Sequence, residues 1–149
     1  MDRFAARRAT DADLSSLLTM MEDFNAIEAI AFDRASFAPR LERLIGDVAL
    51  GGALVCTIDG AAVGYALVTW GYDLEFGGRD AFLTELYLVP GARGRGIGRQ
   101  ALAAAEAFAR ANGAHALHLL VRHDNTPARA LYEGTGFVTQ PRLVMTKRL

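Results

Sequence analysis

The sequence has one cysteine, no long apolar run and no low-complexity stretch, and each shortage removes a class of protein. Cys56 has no partner within the chain, so an internal disulfide framework is excluded. It sits in the apolar stretch Ala53–Ile58 with no histidine nearby, which reads as a buried structural thiol rather than a nucleophile. No apolar stretch approaches the ~20 residues that cross a membrane. Met1–Arg8 carries three arginines and no apolar core, so it does not read as a secretory signal, and the expected compartment is the cytoplasm. No Lys-Ser or Lys-Thr pair follows the glycines of residues 91–98, which rules out a P-loop of the nucleotide-hydrolase kind.

What is present fits one globular domain over residues 1–149, with 52% hydrophobic residues to build a core. The formal net charge of −1 hides an asymmetry. Residues 1–90 carry seven arginines against fourteen acids, and residues 91–149 carry nine basic residues against three acids. Such a division suits a polyanionic ligand on the C-terminal half and a cationic one on the N-terminal half. Nucleic acid does not explain the basic half, because its arginines are not interleaved with aromatic residues.

Hydrophobic spacing predicts a mixed α+β chain. A strand over Phe4–Ala9 leads to Thr10 and Asp13, which start a helix through Phe24 carrying Leu14, Leu17, Leu18 and Met21 on one face. Asn25–Phe32 reads as a loop or broken helix, and Ser36–Gly46 as a second helix. Asp59-Gly60 turns a hairpin between Ala53–Ile58 and Ala61–Trp70. Gly71–Gly78 reads as irregular. Strand Phe82–Val89, helix Arg95–Asn112 and strand Ala116–Val121 form a crossover whose two strands are parallel. A helix over Pro127–Glu133 and strands over Phe137–Thr139 and Leu143–Arg148 complete the pattern.

The strongest signal is Leu86-Tyr87-Leu88-Val89-Pro90-Gly91-Ala92-Arg93-Gly94-Arg95-Gly96-Ile97-Gly98, an apolar strand running into a Gly/Arg loop that opens a helix. The first N–H groups of a helix lack internal partners, and that end carries roughly half a positive charge. Gly94, Gly96 and Gly98 let a diphosphate approach the backbone, and Arg93, Arg95 and Arg99 add charge beside it. A dinucleotide fingerprint does not fit, since the loop reads Gly-x-Gly-x-Gly and lies past the middle of the chain. The spacing Arg93-x-x-Gly96-x-Gly98 resembles the acetyl-CoA loop of the GNAT superfamily of N-acetyltransferases. A second segment, Asn125-Thr126-Pro127-Ala128-Arg129-Ala130-Leu131-Tyr132-Glu133-Gly134-Thr135-Gly136-Phe137, resembles that family's Asn-x-x-Ala-x-x-Leu-Tyr-x-x-x-Gly-Phe at every fixed position. The close resemblance covers residues 60–149.

The resemblance implies a central mixed, mostly antiparallel sheet flanked by helices, in which a parallel strand pair splays apart to admit the pantetheine arm of acetyl-CoA. It implies that acetyl-CoA is the cosubstrate, with no metal. Cofactor contacts then fall on the backbone of Leu88 and Val89 and on Arg93, Gly94, Arg95, Gly96, Ile97, Gly98 and Arg99. Asn125 either binds the pantetheine arm or only starts its helix. Arg129 either reaches the phosphates or pairs with Glu133 one turn on.

Transfer of an acetyl group to an amine needs a neutral amine, and deprotonating an ammonium of pKa about 10.4 at pH 7 costs roughly 4.6 kcal/mol. Positioning of the two reactants contributes ~7–11 kcal/mol. The resemblance makes Tyr132 the general acid for the departing thiolate; otherwise it packs on the sheet. Glu85 is the candidate base, on a face that strict alternation shares with Leu83, Tyr87 and Val89. Asp80, Glu75, Asp73 and His123 are alternative bases. The acidic and aromatic segment Glu22–Asp33, with Trp70, Asp73 and Glu75, is expected to attract a cationic acceptor, unless it is only a solvated helix end. Two functions are therefore compared: an N-acetyltransferase acting on a small cationic primary amine, and an acyl-CoA-binding module without turnover. The motifs do not fix the oligomeric state, a homodimer being one option.

Overall fold

The computed structural model describes residues 2–149. Its first helix is set by a local polar knot. Asp13 accepts from the Thr10 N–H at 2.8 Å, and the Asp13 N–H returns to the Thr10 carbonyl at 2.9 Å. Arg7, on strand β1 (Phe4–Arg8), grips the same carboxylate at 2.8 Å and holds its pKa down to about 2. One 3-10 turn later α1 (Leu14–Ile27) begins, burying Leu17, Leu18, Met20 and Met21. This helix runs three residues beyond the expected Phe24, because Asn25 is buried and donates back to the Met21 carbonyl at 2.7 Å.

Helix α2 (Arg34–Gly46) packs beside α1 over strands β2 (Gly51–Ile58) and β3 (Ala61–Asp73). Asp59 and Gly60 both take positive φ, 50° and 84°, as the tight hairpin between these strands requires. The stretch expected to be irregular is instead the end of a long hairpin. β3 continues to Asp73, a 3-10 turn covers Leu74–Phe76, and β4 (Gly78–Leu88) returns antiparallel. Asp73 accepts from the Glu75 N–H at 2.9 Å and Gly77 sits at φ 83°, so polar capping closes this hairpin. Helix α3 (Ile97–Ala111) crosses to β5 (Leu117–Leu119), parallel to β4, and α4 (Thr126–Gly134) follows.

The sheet has the order β1-β2-β3-β4-β5, antiparallel except for the last pair. Its two faces carry separate cores. α1 and α2 cover Val55, Tyr65, Leu67 and Tyr87; α3 covers Leu54, Ala66, Val68 and Leu83. Cys56 lies wholly buried, and burial pushes its thiol up to about 11.

Two further sequence expectations fail, each for a physical reason. A bulge shifts the register between β3 and β4: Leu67 faces Glu85, while Val68 faces Leu83. The extra residue, Thr84, donates its hydroxyl to the Leu67 carbonyl at 3.3 Å. Leu83 is thereby turned to the α3 face, and Glu85 shares the α1 face with Tyr87 and Val89 but not with Leu83. The strands expected over Phe137–Thr139 and Leu143–Arg148 are absent; the segment belongs to no ladder. A strand needs a neighbour for its backbone groups, and here Leu143, Val144 and Met145 are exposed instead.

Candidate active site

The parallel pair of β4 and β5 is short. It joins Ala81, Phe82 and Leu83 to Leu117, His118 and Leu119, and no pairing continues beyond the Thr84 bulge. Past that point the two chains part, and a cleft of about 320 Å³ opens between them. β4 contributes Glu85 and Leu86, the chain after β5 contributes Leu120 to Arg122, α4 contributes Ala128 and Tyr132, and the end of α1 contributes Phe24 and Glu28. The bulge thus both ends the pairing and aims Glu85 at the opening.

Glu85 is half-buried, and its carboxyl is raised above the ordinary range by burial. Tyr65, with no exposed surface, donates its hydroxyl to Glu85 Oε1 at 2.8 Å, which favours the carboxylate and offsets part of that rise. The ladder makes this contact. Tyr65 faces Tyr87, and Glu85 faces Leu67, so phenol and carboxylate are diagonal neighbours on one face.

Tyr132 reaches the same cleft from α4. Its ring meets Phe137 edge-on at 5.8 Å. The phenol is raised above its usual value, first by burial and then by the nearby Glu28 carboxylate, so it keeps its proton at neutral pH. Asn125 caps α4: its Oδ1 accepts from the Ala128 N–H at 3.2 Å, and the residue also lines the cleft. Helix-start and cleft positions therefore coincide in one residue.

The backbone edge of β4 faces the opening in a defined pattern. The Val89 N–H is bonded to the Val63 carbonyl at 2.8 Å, so it is committed to β3. Antiparallel alternation then turns the N–H and C=O groups of Leu88 and Leu86 away from β3, toward the side that β5 has left. Of the two residues singled out from sequence, Leu88 offers its N–H to the cleft side and Val89 does not. Leu86, which the sequence gave no reason to choose, offers another. The Leu88 carbonyl is taken by Arg93 Nε at 2.8 Å, and the Arg93 guanidinium lies 5.5 Å above the Tyr87 ring.

Beyond β4 the Gly/Arg loop leads into α3. Gly94 and Gly96 take φ of 73° and 77°, and a β-carbon at either would meet nothing within 4 Å. Both therefore adopt a conformation that side chains resist, in open space, beside the first turn of α3, which holds no acid. Ile97 is buried and anchors that turn. Gly98 has a different reason: a β-carbon there would come within 3.3 Å of Leu131 and 3.8 Å of Leu88, so its absence lets α3, α4 and β4 meet. Arg95 pairs with Asp2. Arg99 is exposed on the first turn, near Gly134. Arg129 bonds the His123 carbonyl at 3.2 Å and lies 3.8 Å from Glu133, the local pairing foreseen as one of its two options. Gly94 and Gly96 thus leave open space ahead of α3, and Glu85 and Tyr132 meet in the cleft between β4 and the segment after β5.

The other candidates stand apart from the cleft. Asp80 is buried and bonded to His118 at 3.0 Å, Glu75 pairs with Arg142, and Asp73 caps the β3–β4 turn. Trp70 stacks on Phe108 at 5.5 Å under α3, on the opposite face from α1. Of the acids at the end of α1, Glu28 lines the cleft, whereas Asp23 accepts from the Tyr87 hydroxyl at 3.2 Å. Among the described residues no group of three potential metal ligands comes together, and no helix is long and apolar enough to cross a membrane.

Comparison with known proteins bears on this geometry. The profile of the acetyltransferase (GNAT) family matches residues 17–137. The uncharacterized N-acetyltransferase YycN of Bacillus subtilis is 42% identical over 71 residues, 48% of this chain and 45% of its own length. The aminoglycoside N(6')-acetyltransferase type 1 of Stenotrophomonas maltophilia is 34% identical over 94 residues, 61% of each chain. The match to YhfO of Bacillus subtilis covers 37% of either chain, so the chain spans between a third and a half of the two Bacillus subtilis relatives. Among solved structures, an integron cassette protein from a salt-marsh metagenome superposes with a TM-score of 0.85 at 25% identity, covering 97% of this chain and 90% of that one. The aminoglycoside N-acetyltransferase AAC(6')-Iy in complex with CoA superposes with a TM-score of 0.86, covering 99% and 96%; at 16% identity it shares the fold. With a family profile spanning most of its length and the splayed sheet that goes with it, the chain belongs to the acetyltransferase (GNAT) family.

Proposed function

We propose that the protein is an acetyl-CoA-dependent N-acetyltransferase whose acceptor is a primary amine on a small cationic molecule. The observation that carries this reading is the meeting of Glu85 and Tyr132 in one cleft where β4 and β5 part. In the reaction the acceptor ammonium gives its proton to Glu85, directly or through water. The free amine attacks the thioester carbonyl, the carbon–sulfur bond breaks, Tyr132 gives its proton to the departing sulfur, and the proton shed by the acylated nitrogen returns to the Tyr132 oxygen through water. Burial makes Glu85 a stronger base once ionised and holds the proton on Tyr132, the direction each role needs. The Leu86 and Leu88 N–H groups serve the pantetheine arm, and the turn from Arg93 to Arg99 serves the diphosphate. Asn125 donates to the arm from the start of α4, and Arg129 stands at its edge.

Charge supports a cationic acceptor. Glu28 and Glu85 face the cleft, and its one arginine, Arg122, is held by Asp124 at 3.1 and 3.2 Å. The aminoglycoside acetyltransferases among the relatives and neighbours favour the same substrate class. A panel of amines with acetyl-CoA, followed by release of free thiol, tests the proposal. Polycationic amines are expected to turn over best, with a KM that rises with ionic strength and rises again in Glu28→Gln. A best acceptor that is neutral or anionic, or a KM indifferent to salt, contradicts the cationic assignment. Acetyl-CoA binding without thiol release for any amine would favour a non-catalytic sensor.

A further inference from the structure

Asn25 has every polar group but one committed. It lies near the end of α1, is 2% exposed and lines the cleft. Its Nδ2 donates to the Met21 carbonyl at 2.7 Å, and its own carbonyl accepts from the Ile30 N–H at 2.9 Å. The first bond fixes the side-chain amide, because the reversed amide would set two carbonyl oxygens against each other at that distance. Oδ1 is then turned away from the Met21 carbonyl, and among the described residues no donor reaches it. Nor is it sealed in. The enclosed side-chain atom without a partner among the described residues is Asp80 Oδ1, so Asn25 Oδ1 keeps an opening, and the space that Asn25 borders is the cleft. A nearly buried acceptor without a donor is destabilising, and a ligand N–H at that position would satisfy it.

The helix end holds this oxygen in place. Ala29 takes φ 55°, a left-handed conformation ordinarily left to glycine. Its N–H bonds the Ala26 carbonyl at 3.3 Å while that of Ile30 bonds Asn25, a reversal that stops α1 abruptly. Glu28 and Ile30 are thereby set on the cleft wall with Asn25. One residue earlier, the Phe24 ring meets Tyr65 edge-on at 6.4 Å, and Tyr65 is the donor to Glu85. The ionisable groups that line the cleft are Glu28, Glu85, Arg122 and Tyr132, and Oδ1 is an acceptor among them that carries no charge.

We propose that Asn25 Oδ1 accepts an N–H of the acceptor amine and holds its nitrogen for attack, an assignment that rests on the transferase reading above. An uncharged acceptor suits this step. A primary ammonium gives one proton to Glu85 and keeps two N–H bonds, one of which Oδ1 can hold before and after that transfer. A carboxylate in its place would bind the ammonium more strongly than the free amine and so oppose deprotonation. Glu28 attracts the cation, and Asn25 aligns it.

Two replacements of the same branched shape separate this role from a structural one, since both lose the bond to Met21. Asn25→Leu has no acceptor and should lower kcat/KM for the amine by ~10-fold or more, the size expected for a hydrogen bond to a charged partner, with acetyl-CoA affinity unchanged. Asn25→Asp keeps an oxygen and adds charge, so KM for the amine should fall while the acid limb of kcat moves to higher pH. Equal losses in the two variants, or wild-type kcat/KM in Asn25→Leu, overturn the proposal. A trimethylammonium analogue of the best acceptor offers charge without an N–H. Its inhibition constant should be the same in wild type and Asn25→Leu; weakening as large as that of the amine overturns the proposal. Where a variant does not fold, nitrogen-labelled wild type with CoA gives the reading. The Asn25 side-chain amide resonances should shift on adding the amine and not on adding the analogue, and equal shifts overturn the proposal. Absence of thiol release with every amine removes the transferase reading and this one with it, whereas a fully active Asn25→Leu removes this one alone.

Discussion

Glu85 lies where ionisation is dearer than in water, and the Tyr65 hydroxyl at 2.8 Å compensates part of that cost. Removing the donor should make the carboxylate harder to form. Tyr65→Phe is therefore expected to move the acid limb of the kcat/KM profile to higher pH, whereas a purely structural loss would lower kcat and leave the limb in place. The same burial has a consequence for stability. A carboxyl raised in the folded state favours folding while protonated and disfavours it once ionised. Glu85→Gln should thus raise the melting temperature at pH 7, and the gain should vanish below about pH 4, where the unfolded carboxyl is also protonated. Thermal unfolding at the two pH values reads this directly. Tyr132→Phe is expected to lower kcat by ~10²-fold or more, the size associated with general acid catalysis, with little change in acetyl-CoA affinity.

At the scale of elements, the site depends on how a strand ends and how a helix begins. Gly94 and Gly96 hold positive φ in open space ahead of an acid-free first turn. Gly96→Asp adds backbone strain and a negative charge where the diphosphate is assigned, and calorimetry should show weaker acetyl-CoA binding in a folded variant; unchanged affinity would remove the diphosphate from this loop. The start of α1 makes a separate prediction. Asp13→Asn loses the Arg7 pair and weakens the cap, costing ~0.5–2 kcal/mol, the range seen for cap replacements. Asp13 is held down to about 2, so its contribution is present above the unfolded value near 4 and fades as pH falls toward 2. Urea unfolding of wild type and variant should converge across that interval. The helices and the Asp59-Gly60 turn were legible because spacing, caps and a positive-φ pair are local signals. The β3–β4 hairpin was not, because its turn closes through Asp73 capping and Gly77, with no two-residue turn signature.

At the scale of the whole molecule, the glycine loop and the Asn125–Phe137 segment could be placed from sequence because each is a contiguous string. Glu85 could be named but not oriented. The Thr84 bulge decides which face it takes, and nothing in Leu83-Thr84-Glu85 announces that extra residue. Tyr65 and Leu86 escaped notice for a related reason. Tyr65 meets Glu85 only through the β3–β4 register, and Leu86 contributes a backbone group that its side chain does not betray. The unpaired tail is the inverse case: Leu143–Arg148 has the composition of a strand, and composition alone does not supply the neighbouring strand that its backbone groups need. Whether one cleft carries the acyl transfer is read by a single-turnover measurement on the double variant Glu85→Gln/Tyr132→Phe. With acetyl-CoA bound at wild-type affinity and a polycationic amine added, CoA release should be slower than in wild type by at least the ~10²-fold assigned to Tyr132 alone; release at the wild-type rate would place the chemistry elsewhere and contradict the account.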